Sequence, residues 1–330
     1  SLANNTTLPA GLTLDANTGA ITGTPTTPGN VSFDLKAELF NSNTTTGCFA
    51  TATRSLNITC VTNPVVTTNA DSGAGSLREA MAMACPGSTI TFSNTTAGGA
   101  TNFYDGAQHT ITLMSGELLI SKNLMIQGPG ANLLTVSGNQ ASSVFFINQG
   151  VTATLDSLTM ANGKFSGSND NYGGGIFNSG TLTITNSTLS GNSVSGGRSS
   201  RGGGVYNFGT LTIINSTLSG NSASGGSNSN LGGSIYSGGR LTITNSTIKD
   251  NRAGNVGFEA EGGGIYNVSN LVLKNSTVSG NVGSDGAGIY SDSLGQLIIV
   301  NSHPTTSGAT ASPKLPPMPC SESTSPLRSG

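Results

Sequence analysis

The chain of 330 residues carries 13 Lys and Arg against 15 Asp and Glu, a net charge of −2, with only 8% charged residues in all. That balance offers no basic stripe for nucleic acid, and no apolar run is long enough to cross a bilayer as a helix. With so little charge, 48 glycines would signal disorder in an aperiodic chain, but here they recur at fixed intervals, which assigns them to turns.

Residues 1–62 form the first unit. The stretch from Leu8 to Leu39 shows strands broken by turn dipeptides, and the unit ends at Thr62-Asn63-Pro64. The chain opens in mid-pattern without a signal peptide at Ser1, which reads as a piece of a longer protein. Of the four cysteines, Cys48 and Cys60 flank a strand-like segment, so a Cys48–Cys60 disulfide is expected, with an oxidising, extracellular compartment. Cys85 and Cys320 have no evident partner.

Residues 63–87 read as a linker and an amphipathic helix. Ser76 and Glu79 have the spacing of a capping box. Leu77, Ala80, Met81 and Ala84 fall on one apolar face, and Pro86-Gly87 stops the helix. A solenoid has an open hydrophobic end that must be covered, and a helix placed directly before the first coil suits that role. The expected cap is therefore Ser76, Leu77, Glu79 and Met81.

From residue 88 to 302 the chain repeats. The Asn-Ser-Thr triplet begins at Asn186, Asn215, Asn245 and Asn275, a period of 29, 30 and 30 residues. Such a period means a stacked array. Within each repeat the apolar residues alternate, as in Thr181-Leu182-Thr183-Ile184-Thr185, the signature of a half-buried strand. Two further short strands follow per repeat, around Leu189 and Ile176. Three strands and three turns in about 30 residues make one coil of a parallel β-helix. Upstream, Val144–Asn148, Asp156 and Asn162 lie 30 residues before matching positions and extend the pattern, for about seven coils in all. From His303 to Gly330 the pattern is lost, and the segment reads as a disordered or aberrant tail.

Two resemblances refine this reading. Leu8-Pro9-Ala10-Gly11-Leu12 followed by Gly19-Ala20-Ile21-Thr22-Gly23-Thr24-Pro25 resembles an Ig-like module of bacterial surface proteins, here lacking its first strands. Ser76-Leu77-Arg78-Glu79-Ala80 leading into GGGIYN and LTITNSTLSGN repeats resembles a family of large bacterial surface proteins named for a Cys-Ser-Leu-Arg-Glu-Ala motif, with Gly75 in place of its Cys. The repeats are also similar to those of polymorphic outer-membrane proteins. These resemblances imply a right-handed parallel β-helix of the pectin-lyase-like class on a secreted or surface-anchored protein, and they imply no activity. The expected fold is all-β: a partial Ig-like β-sandwich, a short capping helix and a right-handed parallel β-helix.

Several columns are candidates for function. Asn186, Asn215, Asn245 and Asn275 form one, and Asn192, Asn221, Asn251 and Asn281 another; both read as hydrogen-bonded ladders, and the first also matches glycosylation acceptors. Phe177, Tyr206, Tyr236, Tyr266 and Tyr290 follow the inward residue of each coil. They read as a stack that stabilises the sheet and, if exposed, as a platform for sugar faces. Asp170, Glu259, Glu261 and Asp285 precede the glycine-rich strands and could pair for glycoside chemistry or a cation, though such loops are usually solvated. The column Thr183, Thr212, Thr242 is interrupted by Val272. No metal spacing or nucleophile set is visible, so no cofactor and no enzyme are expected. The sequence reads as a non-enzymatic cell-surface stalk or adhesion protein whose partners are extracellular glycans or cell-surface ligands. Its alternative is a polysaccharide-binding or polysaccharide-cleaving β-helix domain.

Overall fold

The computed structural model describes residues 1–23, 25, 28–39, 48–225, 227–254, 259–292 and 295–304. Its main body is a parallel β-helix with three faces. The first runs from Ser88–Phe92 through Leu124–Gln127, Thr152–Asp156, Thr181–Thr185, Thr210–Ile214, Arg240–Thr244 and Asn270–Lys274 to Gln296–Val300. The second begins at His109–Thr112 and ends at His303–Pro304. The third runs from Leu118–Ile120 to Ile289–Ser291. Seven coils carry all three faces and an eighth carries two, so the stack has about eight turns where seven were expected. At the ordinary strand spacing it is roughly 34 Å long.

The alternation read from the sequence sets which side chains enter the core. Leu182, Leu211, Leu241 and Leu271 stand in register, as do Ile184, Ile213, Ile243 and Leu273. All are buried in one continuous apolar column. Like stacks on like through these four coils, whereas upstream Ala153 stands between Leu124 and Leu182.

Upstream, the register departs from the expected offset by one residue. Ile147 pairs with Asn178, Asp156 with Thr185 and Ala161 with Ser190. Asn148, Asp156 and Asn162 therefore do not occupy the positions that a 30-residue offset assigns them. Because successive strand residues face opposite ways, a slip of one moves each side chain to the other face.

The N-terminal end of the stack is closed. Val65–Val66 pairs in parallel with Thr91-Phe92 and adds a strand before the first coil, so part of the expected linker belongs to the sheet. The helix Leu77–Met83 follows, with Leu77, Ala80, Met81 and Ala84 joining the core cluster. Ser76 Oγ accepts the Glu79 amide at 3.2 Å, while Glu79 Oε2 accepts the Gly75 amide at 2.6 Å, one residue earlier than a standard capping box. Polar contacts pin the lid to the first coil. Arg78 donates to the Gly116 and Glu117 carbonyls and to Asp71. Lys122 Nζ donates to the Ala82 and Ala84 carbonyls at 2.7 and 3.0 Å, groups left without partners at the end of a helix.

Ahead of the lid lies a small antiparallel sheet of Leu2–Ala3, Gly29–Leu39 and Cys48–Ile58, with a hairpin of Leu12–Leu14 and Ile21–Gly23. This is the architecture of a partial Ig-like module. The disulfide corrects the sequence reading: Cys60 is bonded to Cys85, and its sulfur is not available to Cys48, whose side chain lies outside the described residues. The sequence brackets invited a local pairing, but Val61 bridges to Ala84 alongside, with Val61 N bonded to the Met83 carbonyl and Cys85 N to the Val61 carbonyl. The bond thus ties the end of the module to the end of the lid. His303–Pro304 still pairs with Thr277-Val278, two residues beyond the expected boundary. From residue 305 the tail, including Cys320, lies outside the described residues.

Replacing Leu77 by Asp places a charge against the apolar end of the stack, and a cost of about 3–5 kcal/mol is expected. Thermal unfolding followed by circular dichroism checks this. An unchanged melting temperature would show that the helix does not seal the core.

Candidate functional site

The two asparagine columns have different roles. Asn192, Asn221, Asn251 and Asn281 are buried and form a ladder: each Nδ2 donates to the next Oδ1 at 3.0, 3.0 and 2.9 Å. Each Nδ2 also donates to a carbonyl of the coil before, from Met160 to Ile248. The ladder begins at Asn192 because Gly163, not Asn162, holds the equivalent place and donates its amide to Asn192 Oδ1.

The column Asn186, Asn215, Asn245, Asn275 is not such a ladder. These residues have φ of 49, 50, 50 and 47°, the left-handed region that Asn tolerates better than most residues. Asn186 reaches Asp156, and Asn215 reaches Asn186 only at 3.4 Å. Their task is to turn the chain between two faces. The next residue carries the hydrogen bonds. Ser187, Ser216, Ser246 and Ser276 each donate Oγ to the carbonyl two residues back. The Oγ of Ser216, Ser246, Ser276 and Ser302 accepts the amide of the serine one coil earlier. A third column was not read from the sequence: Asn178 donates to Asn207, Asn207 to Ser237 and Asn267 to Ser291. Its signal was the asparagine or serine two residues after each inward Ile or Val.

The glycine triplets adjoin the buried ladder. Gly173 has φ +64°, and a Cβ on Gly175 would lie 2.9 Å from the Asn192 amide carbon. A Cβ on Gly174 would meet the Ser193 carbonyl oxygen at 2.2 Å. The backbone must pass this close for the next coil to stack over the ladder.

The aromatic column is present and one ring longer than expected. Phe146, Phe177, Tyr206, Tyr236, Tyr266 and Tyr290 stack with centroids 4.8, 5.1, 5.1, 5.3 and 5.1 Å apart. Phe146 could have been found by extending the alignment one coil upstream. The rings point away from the core, yet they are largely covered, and Tyr266 is only 8% exposed. Their faces are occupied by one another, so the platform for sugar faces is replaced by a row of edges and hydroxyls. Burial pushes the Tyr206 hydroxyl up to about 12 and raises Tyr236 and Tyr266 as well.

A second feature was hidden in the segments read as loops. Between the second and third faces, four coils project a lateral fin. Its outgoing strands are Lys164–Ser166, Ser193–Ser195, Ser222–Ser224 and Arg252–Ala253, and its returning strands are Asn171–Tyr172, Ser199–Arg201, Ser229–Leu231 and Glu259–Glu261. Asn171 and Ser200 are buried inside it, donating to the Gly196 carbonyl and its neighbours. The fin brings Tyr172 to 4.7 Å from Tyr206, and the Arg201 guanidinium carbon to 5.6 and 5.7 Å from the Tyr172 and Tyr236 ring centroids. Asp170 accepts from the Tyr172 hydroxyl at 3.1 Å. Asn169, Asp170, Tyr172, Arg198, Ser199, Arg201 and Asn228 line an open cleft of about 590 Å3. Five of the six tyrosines thus lie along one side of the rod.

The loop carboxylates do not all converge. Glu261 and Asp285 are bridge partners and do stand one coil apart, as their spacing implied, while Asp170 lies three coils away, roughly 14 Å by the strand spacing. The Glu259 side chain lies outside the described residues. Among the described residues no group of three His, Cys, Asp or Glu could hold a metal. His109 bonds Asp105 at 3.0 Å and packs edge-on against Phe103. Thr183, Thr212 and Thr242 do stand in register and end at Val272.

Among known proteins, the family described as "Putative Ig domain" matches residues 1–55. This agrees with the antiparallel module and stops short of the solenoid. No curated protein and no solved structure matches the chain.

Two outcomes follow from this geometry. Asn221→Ala removes the oxygen that accepts both the backbone and the side-chain amide of Asn192 and should cost about 2–3 kcal/mol. Asn215→Gly keeps the left-handed turn and should change stability by less than about 0.5 kcal/mol. Chemical denaturation of both variants checks the contrast, and equal costs would contradict the assigned roles. The tyrosine column makes the fold sensitive to alkali. Since the folded pKa values of Tyr206, Tyr236 and Tyr266 lie above the ordinary 10.0, their contribution is complete below about pH 10 and is lost as the pH rises towards 12. Tyrosinate absorbance should therefore rise together with loss of β structure. Full ionisation in a still-folded chain would contradict the burial.

Proposed function

We propose that this chain is a non-enzymatic stalk of a secreted or cell-surface protein, a solenoid of the SLREA-motif, GGGIYN-repeat type known from bacterial surfaces, holding its Ig-like module at one end for adhesion. The observation that carries this reading is the use of the repeated polar residues. The buried asparagines and serines are spent on coil-to-coil hydrogen bonds, which serve stiffness rather than chemistry. The disulfide between Cys60 and Cys85 supports an oxidising compartment and joins module to rod beside a closed lid. Glycans or cell-surface ligands are the partners such a protein would meet. The second reading, a polysaccharide-binding domain, is favoured by one observation: the polar, aromatic-walled cleft at Tyr172 and Arg201.

Labelling of intact producing cells with a membrane-impermeant amine reagent, followed by non-reducing peptide mapping, tests the stalk. The expected result is a labelled chain carrying the Cys60–Cys85 bond. A chain that stays unlabelled and fully reduced in its cell would overturn the proposal.

A further inference from the structure

We propose that the cleft beside the fin binds a carboxylate-bearing sugar within an acidic oligosaccharide, with Arg201 as its anchor. This rests on the second reading above and names the ligand class for the site. The argument starts from how Arg201 is held. Its guanidinium is wedged between the rings of Tyr172 and Tyr236, at 5.6 and 5.7 Å. Asp170 is 3.8 Å from Nη1, beyond hydrogen-bonding distance, and that carboxylate accepts instead from the Tyr172 hydroxyl. The Nε atom is buried and has no hydrogen-bond partner. The two rings hold the guanidinium in place, its side chain is a quarter exposed, and a planar carboxylate is the group that matches its two outer nitrogens in two parallel bonds.

The surroundings favour a sugar over a bare anion. Asn169, Arg198 and Asn228 lie one above another on successive coils, linked by backbone bonds of 3.2 and 2.8 Å. They set amide and guanidinium side chains in a row along the rod, at the spacing of the strands. Asp170 adds an acceptor for hydroxyl groups beside these donors. Arg198 and Arg201 against Asp170 leave the cleft with one net positive charge. The cleft is open to solvent, so a chain longer than one residue can continue past it. Hydroxyl-bearing rings with one carboxylate each use every group of this lining, whereas a small anion uses only the arginines.

Isothermal titration calorimetry on the full chain tests this, with an alginate hexasaccharide and the same hexasaccharide after reduction of its carboxyl groups to alcohols. The acidic sugar should bind at least about tenfold more tightly than the reduced one. Arg201→Gln and Arg201→Lys should each weaken it by about tenfold, since lysine keeps the charge and loses the planar fork. Arg198→Gln, at an exposed side chain, should weaken it about threefold; it reports on the site even where a change at Arg201 lowers the melting temperature. Equal binding of acidic and reduced sugars would overturn the carboxylate inference and leave the polysaccharide reading standing. No binding of either would remove both. Sulfate or tetraglutamate binding as tightly as the hexasaccharide, or affinity unchanged in both the Arg198 and Arg201 variants, would also overturn the proposal.

Discussion

The structure depends on one constraint: each coil must satisfy the hydrogen bonds of the coil above it, in register, at strand spacing. A parallel stack places identical residues over one another, so any polar group buried in one coil is buried in the next. Unpaired, each would cost about 1–3 kcal/mol. The Asn192 column meets this demand because an amide carries both donor and acceptor, so one residue type can bond upward and downward at once. The serine column meets it differently, donating within its own coil and accepting from the coil before. The glycine triplets follow from the same constraint, since the backbone must pass too near the ladder for a side chain to fit.

This explains which features were legible in the sequence. Period and alternation reveal which residues face inward, and the strands at Leu182, Leu189 and Ile176 were found where they were expected. The lid was legible because capping and amphipathicity are local. Three readings failed because they concern relations that spacing along the chain does not contain. Asn186 and Asn192 recur with the same period, yet only backbone torsion separates a turn residue from a ladder residue. Cys60 pairs with Cys85 rather than with Cys48 at the far end of the preceding strand, because the junction folds Val61 onto Ala84. The fin, rich in Ser, Gly and Asn, looked like loop because its strands are two or three residues long and are made by stacking rather than by propensity.

The lid and the junction convert a stack into a rod with a defined end. A solenoid exposes its core at both termini, and here the N-terminal side is closed by the strand Val65–Val66 and the helix together. The polar clamps divide the work. Lys122 takes the carbonyls at the helix end, and Arg78 gathers two carbonyls of the first coil and the Asp71 carboxylate. Burial would raise the Asp71 pKa, but hydrogen bonds from Arg78 and Ser115 outweigh it and keep the carboxylate below its usual range. The clamp therefore holds above that range and loosens as the pH falls through it. The same residues that seal the core also fix where the module leaves the rod.

The outer surface follows a different logic from the core. Residues that repeat in every coil are consumed by the stack, including the tyrosine faces. What remains for recognition is what does not repeat. Position 201 is Tyr172 in one neighbouring coil and Leu231 in the other, and the column goes on to Glu261 and Asp285, so a single arginine is set in a column whose residue type changes from coil to coil. The fin amplifies that difference. It lifts the variable segment off the rod and folds its returning strand over the tyrosine edges, placing a variable charge against an invariant aromatic wall. In this architecture stability comes from periodicity and specificity from its interruption, so the place to look for a ligand is where the repeat breaks while the coil beneath it does not.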